Sequence, residues 1–221
     1  MGNIAIFSGG FGSGKSEIAL NYAMEMSRYN SQVVLADLDM VNPYFCSREL
    51  EEVLQGHGVK LAAPIEMLRF SDVPQVPAEV IGFLGMEENE MILDVGGDEV
   101  GSWVLGYLSG HIRTRSYQMY LVINPFRPFA ASLEGIIELR VSLEKASRLQ
   151  FTGVISNPNM AAGTEVADII AGHQQVTAYA EKLGLPMKFL VVGERFYEPL
   201  KAYGLDVEVK PIKLYLWPEW L

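Results

Sequence analysis

The sequence has little cysteine, little positive charge and no long apolar run. One cysteine, Cys46, among 221 residues excludes an internal disulfide and any metal site built from several cysteines of one chain. The 17 Lys and Arg against 27 Asp and Glu give a formal net charge of −10, which disfavours nucleic acid as a partner. No stretch reaches the roughly 18 apolar residues of a membrane-spanning helix, and the amino terminus lacks the basic segment of a signal peptide. We therefore expect a cytoplasmic protein without a membrane span.

Short apolar runs without polar alternation recur along the chain, separated by segments with apolar residues at helical spacing. The runs lie at residues 3–8, 32–36, 59–63, 91–93, 119–123, 151–155 and 187–192, and the helical stripes at 17–29, 133–148 and 166–180. Strands of this kind are buried on both faces, as in parallel sheets. The sequence therefore predicts an α/β fold, with a mostly parallel central sheet and helices on both faces. The length favours one domain over residues 1–221.

Two regions fit this pattern less well. Residues 64–90 contain Pro74, Pro77 and three acidic residues near their end, and we interpret them as an insertion or a flexible cover. Residues 206–221 alternate in polarity and then end in Trp-Pro-Glu-Trp-Leu. We expect an edge strand followed by a docked terminus there, because the tail has too few basic residues for a membrane anchor.

One motif is specific enough to predict chemistry. Residues 9–16, GGFGSGKS, match the phosphate-binding pattern G-x-x-x-x-G-K-[ST], with an apolar run before them and a helical stripe after them. Backbone N–H groups and the helix N-terminus would hold phosphate, Lys15 would reach the β- and γ-phosphates, and the Ser16 hydroxyl would bind Mg²⁺. The nucleotide-binding candidates here are Gly10, Phe11, Gly12, Ser13, Gly14, Lys15, Ser16 and Glu17.

Aspartates follow two of the predicted strands. Asp37 and Asp39 end the second run, and Asp94 follows three apolar residues, as in a strand that holds Mg²⁺. Carboxyl ends of parallel strands meet at one edge of a sheet, so we expect these acids beside the phosphate loop. Ser16, Asp37, Asp39 and Asp94 are therefore the candidate metal-binding residues. Gly97 could offer its backbone N–H to the γ-phosphate, which would make the loop that follows sensitive to hydrolysis.

The order of these motifs resembles the MinD/ParA and nitrogenase iron protein group of P-loop ATPases, in the SIMIBI class. Residues 93–100 are similar to the second switch of nitrogenase iron proteins, and residues 37–43 resemble the first switch of the group. The resemblance implies that Asp39 orients the attacking water, that Asp94 holds Mg²⁺ through water, and that Asn157 reads adenine. It also implies that residues 191–195, with Gly193 and Glu194, form the other wall of the base pocket.

The chain departs from that group at one informative position. The group's signature lysine, second in the phosphate loop, is replaced by Gly10. Because that lysine reaches across a nucleotide-sandwich dimer, its absence leaves a homodimer an open question. Residues 157–160, NPNM, also lack the Lys and Asp of the guanine-reading N-K-x-D motif, which favours ATP over GTP.

Three functions remain open from the sequence. The first is a Mg²⁺-dependent ATP hydrolase whose switches, at residues 37–48 and 94–103, couple the nucleotide state to an unidentified protein partner. The second is a small-molecule phosphotransferase or ATP-dependent ligase, like the dethiobiotin synthetase branch of the fold, with residues 64–90 shaping the acceptor pocket. The third is a nucleotide-binding scaffold that hydrolyses little.

Overall fold

A parallel β-sheet organises the part of the chain that the structure describes. The computed structural model describes residues 2–39, 51–62, 78–97 and 99–216. Its strands are β1 (Ile4–Ser8), β2 (Val33–Leu38), β3 (Val59–Ala62), β4 (Glu90–Val95), β5 (Tyr117–Ile123), β6 (Gly153–Ser156), β7 (Met187–Gly193) and β8 (Val209–Ile212). Within these ranges they form one eight-stranded sheet in the order β3-β2-β4-β1-β5-β6-β7-β8, and every neighbouring pair is parallel. The predicted parallel α/β fold is confirmed.

Helices cover both faces of this sheet. They are α1 (Lys15–Met26), α2 (Glu51–Gly56), α3 (Ala78–Leu84), α4 (Glu99–Ile112), α5 (Leu133–Ser147), α6 (Val166–Leu183) and α7 (Glu194–Lys201). Alternate residues of β1 enter different cores: Ile4 and Ile6 pack with residues of α4 and α5, whereas Ala5 and Phe7 pack with α1. This two-sided burial is why β1 has no polar alternation. No helix of the described residues is long and apolar enough to cross a membrane.

Local signals in the sequence set the ends of two helices, α5 and α6. The Ser132 side chain accepts a hydrogen bond from the backbone N–H of Gly135 at 3.1 Å, which caps α5. Glu165 and Asp168 form a reciprocal capping box at the start of α6. At its end, Gly184 has a φ of 65°, a conformation in which glycine avoids the steric cost of a side chain.

The two regions that fit the pattern poorly have different outcomes. Of the predicted insertion at residues 64–90, residues 64–77 lie outside the described residues, but α3 belongs to the core, because Val80 and Leu84 are buried against α4. In the tail, β8 pairs with β7 as the predicted edge strand. The backbone of Lys213 then exchanges hydrogen bonds with the Asn21 side chain of α1, at 3.0 and 2.9 Å. Residues 217–221 lie outside the described part.

Candidate nucleotide-binding site

The phosphate-binding motif connects the end of β1 to the start of α1. Gly12 and Gly14 have φ values of 73° and 88°, which L-amino-acid side chains rarely tolerate. These two glycines turn the chain so that α1 starts at Lys15, directly after the loop. The first backbone N–H groups of a helix have no partners within the helix and carry partial positive charge. The loop thus presents, at the carboxyl edge of the sheet, backbone N–H groups that are suited to bind an anion.

The predicted carboxylates meet beside this loop. Asp37 and Asp94 are register partners on the neighbouring strands β2 and β4. Both are buried, at 2% and 3% exposure, and Lys15 is buried with them at 6%. The half-buried Asp39 follows β2, and its backbone N–H donates to Asp37 Oδ1 at 3.1 Å. The structure therefore brings the three aspartates together with Lys15.

The environment of Asp94 favours a cation. Burial raises the pKa of Asp94 to about 7; Lys15 and a hydrogen bond from Ser16 lower it, whereas the charges of Asp37 and Asp39 raise it. Its Oδ1 has no hydrogen-bond partner among the described residues. A buried carboxylate oxygen that lacks a donor is suited to a metal-bound water.

The donor set also fits the way proteins hold Mg²⁺. No group of three or more His, Cys, Asp or Glu side chains that could hold a metal by itself occurs among the described residues. Mg²⁺ at phosphate sites needs no such cage, because it keeps several waters and binds one or two carboxylates together with phosphate oxygens. Ser16 and Asp94 fit that role.

Gly97 lies directly on the phosphate loop. A Cβ atom placed on Gly97 would be 2.9 Å from the backbone nitrogen of Phe11 and 3.1 Å from the carbonyl oxygen of Gly9. Only a residue without a side chain can approach the loop so closely. The predicted second switch thus begins against the phosphate loop. Asp98 and residues 40–48 of the predicted first switch lie outside the described residues.

The side-chain space of Gly10 is taken by Phe129, a residue that the sequence analysis did not select. A Cβ atom on Gly10 would lie 2.5 to 2.7 Å from three carbon atoms of the Phe129 ring. Phe129 is half-buried in a short 3₁₀ helix, Pro128–Ala130, in the turn after β5. The position of the group's signature lysine is therefore covered by the chain's own aromatic ring.

Replacing Gly10 by Ala should destabilise the protein by about 1–3 kcal/mol, because the new methyl group overlaps the Phe129 ring. The cost should shrink in the Phe129→Ala background, which removes the overlapping atoms. Urea unfolding of the two single variants and the double variant measures this coupling. Gly110→Ala is the matched control, because a Cβ on Gly110 meets no atom within 4 Å. Additive effects of the two substitutions would contradict the packing of the Phe129 ring on Gly10.

A cavity of about 390 Å³ adjoins the phosphate loop on the side of β6 and β7. The buried Asn157 lines it and also donates from Nδ2 to the carbonyl oxygen of Ser13, at 2.7 Å. Gly193, Glu194 and Arg195 line the same cavity. The structure therefore places Asn157 and residues 191–195 around one space, in continuity with the loop.

The carboxyl-terminal segment contributes a wall that the sequence analysis missed. Ile212, Lys213 and Leu214 line the same cavity. The segment is held by Glu17, whose carboxylate accepts hydrogen bonds from the backbone N–H groups of Tyr215, at 2.9 Å, and Leu216, at 2.6 Å. Burial raises the pKa of Glu17, and these two amides partly offset that effect. The side chain of Glu17 thus binds the tail, although its backbone belongs to the first turn of α1.

Comparisons with known proteins identify the fold. No protein-family model and no curated protein matches the sequence. Among solved structures, the cell division protein FtsY from Thermotoga maritima is 18% identical with a TM-score of 0.61, covering 87% of this chain and 62% of that one. The signal recognition particle 54 kDa protein from Aeropyrum pernix K1, in complex with GDP, is 20% identical with a TM-score of 0.58, covering 92% and 47%. A nucleotide-binding protein from Archaeoglobus fulgidus, in complex with ADP, is 15% identical with a TM-score of 0.50, covering 89% and 84%.

The chain has an all-parallel α/β fold of the P-loop NTPase type, which it shares with these solved structures. The chain covers less than two thirds of either of the first two structures: 62% of FtsY and 47% of the signal recognition particle 54 kDa protein. Identities of 15 to 20% concern the fold alone. The narrower resemblance to the MinD/ParA group remains a prediction.

Proposed function

We propose that the protein is a Mg²⁺-dependent ATP hydrolase whose switch loops couple its nucleotide state to a partner. The observation that carries this proposal is the phosphate loop at the start of α1, with Lys15, Ser16 and Asp94 gathered beside it. A glycine-rich turn with only a structural role needs neither a buried lysine nor buried carboxylates at its edge.

Each residue of this cluster has a role in phosphoryl transfer. Lys15 pairs with the β- and γ-phosphates, and the backbone N–H groups of the loop hold their oxygens. Ser16 would ligate Mg²⁺ directly and Asp94 would hold it through water, and the ion supplies neutralisation of phosphate charge. Asp39 orients the attacking water. Catalysis then depends on positioning and on charge, and no covalent intermediate with the protein is needed.

The cavity beside the loop is proposed as the base pocket. Its volume of about 390 Å³ lies within the range of small-molecule sites, about 300–1,000 Å³. Asn157 offers a side-chain amide and Glu194 a carboxylate at its edges. We propose adenine, because the Lys and Asp of a guanine-reading N-K-x-D motif are missing after Asn157.

Direct binding measurements test this choice. We expect calorimetry with Mg²⁺ to show at least about tenfold tighter binding of ATP than of GTP, as one additional well-made hydrogen bond can provide. Phosphate release should follow the same preference and require Mg²⁺. Tighter binding of GTP, lost in Glu194→Gln, would show that Glu194 reads guanine and would overturn the proposed base.

Coupling to a partner is supported by the helix that follows the second switch. Trp103 and Tyr107, one turn apart on α4, are 59% and 67% exposed. Exposed aromatic side chains of this kind are enriched in protein interfaces. Because α4 follows the loop at Gly97, movement of that loop with the γ-phosphate would be transmitted to this surface.

ATP turnover that is stimulated by a small metabolite, and not by protein fractions, would instead support the alternative function of a phosphotransferase or ligase.

A further inference from the structure

The turn after β5 contacts the phosphate loop at two points. Arg127 donates from Nε to the carbonyl oxygen of Gly12 at 3.1 Å. Its side chain also occupies the space that a side chain at position 12 would need, because a Cβ atom placed on Gly12 would lie 3.1 Å from Arg127 Nε. Two residues later, the Phe129 ring covers Gly10. The turn therefore places a cation at the loop. It follows β5, whereas Asp94 belongs to β4, which flanks β1 on its other side.

The position of Arg127 is fixed by a network around Asn124. The buried Asn124 accepts backbone N–H donors within the turn, from Phe126 to Oδ1 at 3.1 Å and from Arg127 to its carbonyl oxygen at 3.1 Å. Its Nδ2 donates to the carbonyl oxygen of Asn159 at 2.7 Å, in the loop that lines the cavity. Arg127 is thus held relative to both the phosphate loop and the cavity.

Most of the Arg127 guanidinium is available to a ligand. An arginine has five N–H donors in a planar fork, and Gly12 takes the one on Nε. Arg127 is exposed, and it forms no ion pair with an acidic side chain in the described part of the chain. The donors on the two Nη atoms have the geometry that binds phosphate oxygens in pairs.

We propose that Arg127 binds a phosphate of the nucleotide held by the loop and so supplies, from within the same chain, positive charge beside the loop. This inference rests on the proposed nucleotide-binding function. It explains why Gly10 can be covered by Phe129: the charge that the resembled group takes from a lysine at this position comes here from the turn after β5. The site then needs no second subunit to complete its phosphate contacts.

Three substitutions of Arg127 distinguish binding of a phosphate from a purely structural contact with Gly12. Arg127→Gln keeps a donor for Gly12 but removes the charge, Arg127→Ala removes both, and Arg127→Lys keeps the charge without the fork. For a phosphate contact we expect calorimetry with Mg²⁺-ATP to show at least about tenfold weaker binding for the Gln and Ala variants, with a smaller loss for Lys. Lys145→Gln, which removes one positive charge at the opposite end of α5, should bind as the wild type does.

The remaining outcomes are equally decisive. If the Gln variant binds Mg²⁺-ATP as the wild type does while the Ala variant is weakened, Arg127 only braces Gly12 and the inference fails. If all three Arg127 variants bind Mg²⁺-ATP with the affinity of the wild type, the inference also fails, while the proposed function stays intact. Failure of the wild type to bind any nucleoside triphosphate would overturn the proposed function, and this inference with it. Thermal melting without nucleotide, performed for every variant, shows that the comparison is between folded proteins.

Discussion

Replacing Lys15 by Ala should weaken ATP binding by about 100-fold or more and abolish turnover. Lys15 is 6% exposed at the first position of α1, where its ammonium group can pair with phosphate oxygens. Losing a charged contact in a buried site costs about 3 kcal/mol, which corresponds to that factor. Isothermal titration calorimetry with Mg²⁺-ATP measures the affinity, and phosphate release measures turnover.

This substitution has a second effect that must be measured separately. Lys15 lowers the pKa of Asp94, so its removal leaves the buried carboxylates with less compensation. We therefore expect lower thermal stability of Lys15→Ala at pH 8 as well as lost binding. The double variant Lys15→Ala/Asp94→Asn should recover stability without recovering affinity. Equal ATP affinity of the wild type and a folded Lys15→Ala variant would falsify the assignment of the loop.

Replacing Asp94 by Asn should stabilise the nucleotide-free protein at pH 8 while abolishing Mg²⁺-dependent turnover. The pKa of Asp94 is raised to about 7 by burial, so above that pH the folded protein contains a charged carboxylate in a site that favours its neutral form. Asn has nearly the same shape and no charge. We expect the melting temperature to rise by about 5 °C or more. Turnover should be lost because Asn cannot hold a metal-bound water as a carboxylate does.

The pH dependence gives this prediction a definite sign. Since the folded pKa of Asp94 lies above the ordinary value, the folded state binds more protons than the unfolded state between about pH 4 and 7. The wild type should lose stability relative to the Asn variant as pH rises through this window, and the two should converge near pH 4. Thermal melting from pH 4 to 8 without nucleotide or Mg²⁺ measures the difference. Asp206→Asn, at an exposed position, serves as the control. A difference in stability between the wild type and Asp94→Asn that does not change with pH would contradict the raised pKa of Asp94.

The parts of the site that could be predicted from sequence are those built by neighbouring residues. The phosphate loop needs only the glycines, Lys15 and Ser16 in one short segment, because the loop and the helix N-terminus are local structures. Asp37 and Asp94 are far apart in sequence, but each ends an apolar run. Since parallel strands end at one edge of a sheet, their proximity could also be expected.

The parts that were missed depend on contacts between distant segments. Arg127 and Phe129 lie over 110 residues after the loop that they contact, as the separation of 115 between Arg127 and Gly12 shows. Glu17 contacts Tyr215 and Leu216 across separations of 198 and 199 residues. An exposed arginine in a turn has no periodic pattern or motif that marks it. Its contact with Gly12 follows from the packing of the turn after β5 against the loop after β1.

The sequence by itself determined the parallel α/β architecture and the phosphate-binding loop, because buried strands, helical stripes and the loop motif are local patterns. It also placed glycine at position 10 without showing what that glycine accommodates. Only the tertiary structure decided that Phe129 covers this position, that Arg127 brings a charge to the loop, and that the tail forms a wall of the cavity. The physical reason is that these three features depend on the side-by-side order of strands in the sheet. That order brings together segments that are far apart in sequence, and no local sequence pattern indicates their contact.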